Sequence, residues 1–477
     1  MTRLPILLAF LLNVVVAQAA DKPNIIVILA DDLGNADMGY RGSQIRTPNL
    51  DALARGGVRL EAYYGQQLCT PARAALMTGR YPMRYGLQSF VIFPGHTYGL
   101  PTDETTLPQA LKQAGYSTAM VGKWHLGHAD RKYWPQNRGF DTFYGNLVGE
   151  VDYFTKERGG LIDWQRNGKF LEEAGYHTTL IGDEAVQIIE RQDPEKPLFL
   201  YVAPLAVHAP LQPPQGGAEA YEGLFDDEEK RAYAAMLTEL DVQVGRMVAA
   251  LERRGLRGNT LIFFTTDNGG VWKMKAHAPG GKPAKKPPAS NGELRDGKAS
   301  LYEGGVRVPA FVNWPAKLEP AVVNEPLHHV DLMPTLLAIV GGQGDPAKPL
   351  DGRNAWATLA EGKPSPHEDI LINVESHRGA IRKGQWKLVK QATLPGRTEL
   401  FDLSQDPGER NNLADQNPEV VRELEARLVA YAREQAQSLW MKAQPAFLGA
   451  QGETAFDPGF DIDDGGLPRE KPMLPEK

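Results

Sequence analysis

Two runs of residues constrain this chain more than any other feature. Pro23 to Ala30 and Asn259 to Thr266 are continuously apolar or β-branched, the pattern of strands covered on both faces in a parallel sheet. Each run ends in acid: Asp31-Asp32 after the first, Asp267-Asn268 after the second. Carboxylates gathered at buried strand ends are costly unless something neutralises them. In open α/β sheets that edge is also where ligands bind. Two carboxylates from one strand end, with a carboxylate and an amide oxygen from the other, make a hard oxygen set. Such a set suits Ca²⁺ or Mg²⁺ and not zinc. Taken alone, either acidic end also reads as a turn or a helix cap.

Two more strands with polar ends lie between these. Tyr116 to Val121 runs into Gly122-Lys123-Trp124-His125-Leu126-Gly127, and a period of two puts Lys123 and His125 on one face if the strand continues. Pro197 to Val202 leads to His208-Ala209-Pro210. A single histidine beside a strand is usually a satisfied structural group, so these gain meaning only from their company. The pair His328-His329 invites a metal reading. Adjacent side chains point apart on a strand, however, and Asp331 reads as a helix N-cap, so both histidines are taken as structural.

The chain has one cysteine, Cys69, in Gln67-Leu68-Cys69-Thr70-Pro71-Ala72-Arg73-Ala74-Ala75-Leu76-Met77-Thr78-Gly79-Arg80. It cannot form an internal disulfide, which leaves packing or chemistry. Pro71 fits the first turn of a helix, where a missing N–H costs nothing. Cys69 is then expected at a helix N-terminus, where backbone N–H groups favour negative charge. Arg73, one turn on, can point back to the same place.

Cys-x-Pro-x-Arg followed by Ala-Ala-Leu-Met-Thr-Gly-Arg resembles the signature of the formylglycine-dependent sulfatases. Matching pieces follow in the family's order from Pro23 to about Ala414: Gly122-Lys-Trp-His-Leu-Gly127, His208-Ala-Pro210, and Gly297-Lys298 with Glu303-Gly-Gly-Val-Arg307. The resemblance implies that Cys69 is oxidised to formylglycine by a formylglycine-generating enzyme. It implies a Ca²⁺ site, with Mg²⁺ open, made by Asp31, Asp32, Asp267, Asn268 and the modified residue 69. It assigns Arg73, Lys123 and Lys298 to the sulfate oxygens and His208, with Lys298, to the leaving alcohol. His125 takes a proton from the second hydroxyl of the formylglycine hydrate, which expels sulfate from a covalent intermediate. Glu303 and Arg307 are read as a charge pair holding a glycine turn.

Within that family, Arg138 to Asp141, Tyr144-Gly145, Asp152-Tyr153, Glu195 to Tyr201 and Pro349 to Gly352 resemble the arylsulfatase B type, the N-acetylgalactosamine-4-sulfatases. Those relatives carry several cysteines where this chain has one. The reaction expected is hydrolysis of a sulfate monoester on a sugar or glycan, of the 4-O-sulfated galactose or N-acetylgalactosamine type. Alternatives are a phosphonate monoester or phosphodiester hydrolase, which Lys123-Trp124-His125 and Lys298 disfavour, and a non-catalytic glycan-binding relative.

The expected fold is α/β: a large mixed, mostly parallel sheet flanked by helices, in residues 21–360. The grammar changes after Gly352. Short strands over 370–374, 379–381, 385–389 and 399–403, then an amphipathic helix over 418–436, suggest a small antiparallel sheet with one helix in residues 361–440. A Gly/Pro-rich tail follows over 441–477. At the other end, Arg3, the apolar run Leu4 to Ala17 and Ala17-Gln18-Ala19 read as a signal peptide over 1–20, hence a periplasmic or secreted protein with no membrane span. A net charge of -7 gives no reason to expect nucleic acid as a partner. Lys273, Lys275, Lys282, Lys285 and Lys286, with Trp272 and His277, form a basic loop expected to border the site and hold further anions of a glycan.

Overall fold

The computed structural model describes residues 22–271 and 287–444. The leader, the basic loop from Trp272 to Lys286 and the tail beyond Gln444 lie outside the described residues.

Ten strands form the main sheet among the described residues. In chain order they are Asn24–Ala30 (β1), Val58–Leu60 (β2), Ser117–Gly122 (β3), Thr142–Gly145 (β4), Gln165–Arg166 (β5), Lys169–Phe170 (β6), Leu198–Ala203 (β7), Thr260–Thr266 (β8), Ala310–Asn313 (β9) and Ala321–Val323 (β10). Their order across the sheet is β10-β2-β9-β8-β1-β7-β3-β4-β5-β6. The centre, β8-β1-β7-β3-β4, is parallel. Antiparallel pairs flank it on both sides.

The unbroken apolar sequence of β1 is explained by two cores. Ile25, Val27 and Leu29 face one side, Ile26 and Ile28 the other, as a period of two requires. The first side packs on helices Cys69–Thr78, Leu107–Gln113 and Leu332–Val340; the second on Pro48–Arg55, His177–Arg191 and Glu228–Arg253. In chain order these are α1 (48–55), α2 (69–78), α3 (107–113), α4 (177–191), α5 (228–253) and α6 (332–340). The result is three layers, helix on sheet on helix.

A second sheet is a simple antiparallel meander of Ile370–Val374 (β11), Arg378–Lys383 (β12), Trp386–Gln391 (β13) and Arg397–Asp402 (β14). Helix Pro418–Arg433 (α7) lays Leu424 and Leu428 on one of its faces. The other face packs on Ala62, Tyr64, Leu301, Tyr302 and Val306 from the main part of the chain. The first strand matches its expected limits, the other three depart from theirs by one or two residues at each end, and the helix ends three residues earlier. Both lie within ordinary boundary error. Among the described residues no helix is long and apolar enough to cross a membrane.

Candidate functional site

β1 and β8 pair in register from Asn24 opposite Thr260 to Ala30 opposite Thr266. Their acidic ends therefore arrive side by side. Consecutive residues on a strand would point apart, but the chain turns here and Asp32 takes a left-handed φ of 59°. Asp tolerates that region better than most residues. Asp31, Asp32, Cys69 and His208 each offer a ligand atom within 4.8 Å of the others.

Cys69 is the first residue of α2, and every residue of that helix is buried. This accounts for its small, apolar composition, with Arg73 the exception that must be paired. Gly79 ends the helix at φ 65°. The Cys69 thiol donates to Asp31 Oδ1 at 3.5 Å. Burial pushes that thiol well above its ordinary pKa, so an unmodified Cys69 is a poor source of thiolate.

Three cations meet the three carboxylates. Arg73 donates to Asp267 Oδ2 at 3.0 Å and to the Lys123 carbonyl at 3.0 Å, with Asp31 at 3.5 Å. Lys123 Nζ reaches Asp31 Oδ2 at 2.5 Å, and Lys298 Nζ reaches Asp32 Oδ2 at 2.7 Å. His208 Nε2 stands 3.6 Å from Asp32 Oδ2, and its Nδ1 donates to the Ala209 carbonyl at 2.6 Å. Burial and the neighbouring Asp267 raise the Asp31 carboxyl. Burial also raises Asp32, but Lys298 and His208 together outweigh it and hold that group below its ordinary value. Asp267 is likewise held down, by Arg73 above all, against the cost of burial.

A divalent cation fits this donor set on two grounds. Asp31 is crowded by a like charge, which a cation relieves. Asn268 donates Nδ2 to Asp32 Oδ1 at 2.7 Å, while its own Oδ1 is buried without a partner. An orphaned carbonyl-type oxygen among carboxylates is a natural ligand for a hard ion.

His125 comes from beyond the end of β3. The strand stops at Gly122, where φ is 104° and a Cβ would lie 2.0 Å from the Ala203 carbonyl. The strand therefore does not continue to His125: Lys123 and His125 reach the site from an irregular turn, His125 itself at φ 59°. Its Nε2 lies 3.1 Å from the Ile92 carbonyl and its Nδ1 is buried without a partner. Burial, then Lys123, hold the imidazole well below its ordinary pKa, in the neutral form. Thr70 bonds both the His125 carbonyl and the Ile92 N–H, tying the start of α2 to this turn.

These groups close the end of a cleft of about 230 Å³. Cys69, His125, His208 and Lys298 line it, with Leu68, Phe90 to Pro94, Gly149, Glu150 and Arg158. A larger hollow of about 770 Å³ beside Arg80, Asp351 and Arg427 holds none of the site groups.

All ten sequence-derived site residues thus converge. Glu150, Arg158 and the stretch from Phe90 to Pro94 were not foreseen, because loops and the two-residue strand Glu157–Arg158 carry no periodicity or motif. Gly149 carried a faint signal: a Cβ there would lie 2.4 Å from the His125 ring. Two expectations need correction. Asp331 stands at the start of α6 without capping it, because its carboxylate accepts from the His328 and Arg353 N–H groups and contacts His367. Glu303 pairs only loosely with Arg307, at 3.6 Å, and much more closely with Lys387, at 2.9 Å. His328 and His329 are both buried and neither lines the cleft.

The sulfatase family matches residues 23–342, and the C-terminal family of N-sulphoglucosamine sulphohydrolase matches residues 295–434. Arylsulfatase J of Mus musculus is 38% identical over 465 residues, covering 85% of this chain and 75% of that protein. N-acetylgalactosamine-6-sulfatase of Mus musculus is 32% identical over 451 residues, covering 84% and 83%. The solved structure of Ps i-CgsB in complex with k-i-k-neocarrahexaose covers 92% of this chain and 100% of its own, with a TM-score of 0.80 and 32% identity. The chain belongs to the sulfatase family and is a hydrolase of sulfuric esters. These relatives do not single out the arylsulfatase B type. The phosphonate monoester hydrolase of Agrobacterium radiobacter, at 20% identity and a TM-score of 0.62, shares the fold alone.

Proposed function

We propose that this protein is an exported sulfatase that removes an O-sulfate group from a sugar or glycan, using a formylglycine at position 69 and a divalent cation, Ca²⁺ or Mg²⁺. The observation that carries the reading is the meeting of Cys69, Asp31, Asp32 and His208 within 4.8 Å at the closed end of a cleft. Asp31, Asp32, Asp267, Asn268 and residue 69 would hold the cation, which offsets charge on the sulfate oxygens.

Oxidation of Cys69 by a formylglycine-generating enzyme would supply a geminal diol, with one hydroxyl to attack sulfur and a second whose deprotonation would let the aldehyde re-form as sulfate leaves with the first oxygen. The chain's own groups do the rest. Arg73, Lys123 and Lys298 favour the growing negative charge, in a setting where water no longer screens it. His208 stands at the open side of the cleft, suited to protonate the leaving alcohol oxygen, with Lys298 beside it. His125, neutral and with a free Nδ1, is suited to accept a proton from residue 69.

A sugar substrate is supported by the glycan sulfatases among the structural relatives. The narrower 4-O-sulfated galactose or N-acetylgalactosamine assignment rests on the arylsulfatase B pieces of the sequence. The test is sulfate release by protein coexpressed with a formylglycine-generating enzyme, on 4-O- and 6-O-sulfated N-acetylgalactosamine, sulfated galactans, an aryl sulfate and a phosphonate monoester. Cys69→Ala is the control. Release from one sulfated sugar supports the reading and fixes the substrate. Turnover of the phosphonate alone, or of nothing once the aldehyde is confirmed by mass, refutes it.

A further inference from the structure

Two groups of residues of contrasting chemistry line the cleft. One is apolar: Phe90, Val91 and Phe93 are partly exposed along it, beside Pro94. The Phe90 and Phe93 rings lie 5.5 Å apart, and Trp440 backs Phe90 at 5.3 Å. The other comprises Glu150 and Arg158, joined at 2.8 Å. Among the described residues lining the cleft, these two and Lys298 are the only Asp, Glu, Lys or Arg side chains. Lys298 is already committed to Asp32 at the closed end. Beyond the sulfate end, the fixed charge of the described lining residues therefore sums to zero.

The charged group is built and not left to chance. Lys156 is buried at a left-handed φ of 59° and donates Nζ to the carbonyls of Phe154, Glu173 and Gly175 at 2.7, 2.8 and 2.5 Å. Asp152 accepts from the Phe154 and Thr155 N–H groups at 2.8 Å each, and from Gln212 Nε2 at 2.6 Å. Asp163 accepts from the Leu147 and Val148 N–H groups just before Gly149. Glu150 and Arg158 thus stand on a segment pinned on both sides of them, the condition for a pre-organised contact.

We infer that the ring bearing the reacting sulfate is an otherwise uncharged sugar, its C–H face on Phe90 and Phe93 and its hydroxyl edge on Glu150 and Arg158. Glu150 selects against a second anionic group on that ring. The inference rests on the sulfatase reading above. An apolar lining with a few placed polar groups is what a small-ligand site requires. A hydroxyl both donates and accepts, so it can satisfy a carboxylate and a guanidinium together. A second sulfate or a carboxylate would meet the half-exposed Glu150 oxygens, and rejection by like charge is an efficient way to discriminate. An arginine reserved for an anion would not already hold a carboxylate at 2.8 Å.

The test compares kcat/KM for monosulfated galactosides and N-acetylgalactosaminides with that for the same rings carrying a second sulfate, and for 4-nitrophenyl sulfate. Wild type should favour the monosulfated ring by roughly tenfold or more, a difference of about 1.4 kcal/mol. Glu150→Gln frees Arg158 and should move the ratio about tenfold toward the disulfated ring; Arg158→Gln should move it the other way. Glu150 Oε2 lies 3.8 Å from His208 Nδ1, and a ratio between two sugar substrates cancels any effect through that histidine. Phe90→Ala should raise KM for the sugars more than for the aryl sulfate. Wild-type preference for the disulfated ring, or a ratio unmoved by both substitutions, overturns the inference while leaving the sulfatase reading intact. Silence of wild type on every sulfate overturns both.

Discussion

Among the described residues, two clusters of buried charge invite comparison: one meets the cleft and the other lies at the junction of the two sheets. At the ends of β1 and β8, three carboxylates meet Arg73, Lys123 and Lys298. At the junction between the two sheets, Lys387 of β13 stands 2.9 Å from both Glu303 and Glu409, all three side chains being fully buried. Glu303 also accepts from the Tyr64 hydroxyl at 2.9 Å, and its N–H donates to Glu409 at 2.6 Å. Burial, ion pairing and perturbed protonation are common to both. The first cluster opens on a cleft and keeps an acceptor and an imidazole nitrogen unpartnered; the second lines none of the clefts described above. Buried charge marks a candidate, and the opening with its unmet valences decides which candidate does chemistry.

Four measurements would break or sharpen that contrast. The largest effect is expected from Cys69→Ala, which should lower sulfate release roughly a thousandfold or more, as loss of a nucleophile does. With the cation chelated from both proteins, its melting temperature should stay close to wild type, because the substitution removes only one small side chain. Lys387→Met should do the reverse. Removing the one lysine between two buried carboxylates should cost about 3–5 kcal/mol of stability, read by denaturant unfolding, with turnover per folded molecule kept. If Lys387→Met abolished turnover in folded protein, the sealed cluster would be part of the site after all.

Metal removal should separate the clusters next. A cation that binds only the folded state at a hundredfold over its Kd adds about 2.7 kcal/mol. Chelation should therefore lower the melting temperature of wild type and of Lys387→Met alike, and leave Asp31→Asn or Asp267→Asn unmoved. An equal response in all of them would detach the cation from these strand ends.

The smallest effect is a slope with pH. Burial pushes the Glu409 carboxyl up to about 7 from an ordinary 4.5, with Glu303 adding to the rise against the pull of Lys387. Between those two values the folded state keeps a proton that the unfolded chain has released. Stability from this group is thus greatest below about pH 4.5 and declines as pH rises toward 7. Glu409→Gln should flatten that part of the stability profile; an unchanged slope would place the titration elsewhere.

Much of this was legible beforehand, for reasons that differ residue by residue. The apolar runs that became β1 and β8 needed no partner to be read, because a strand covered on both faces carries its environment in its own composition. Pro71 marked the start of α2 through local backbone chemistry. The motif around Lys123 and His125 pointed to the site but left its conformation open, and Gly122 ends the strand by a close approach to Ala203. Asp331 looked like a cap and instead serves the backbone of two other segments. Glu303 looked paired within its own turn, but its closest partner is 84 residues away.

The sequence by itself determined the layers of the fold, the helix that carries Cys69, and the acidic strand ends, since each depends on residues close together in the chain. Only the tertiary structure decided that β1 and β8 are neighbours, and so that two acidic ends meet. It alone brought Glu150 and Arg158 into one cleft with Phe90 and Phe93, and sealed Lys387 between two carboxylates. Those juxtapositions arise from packing between segments far apart in the chain, and no local propensity records which distant side chain will fill the space opposite.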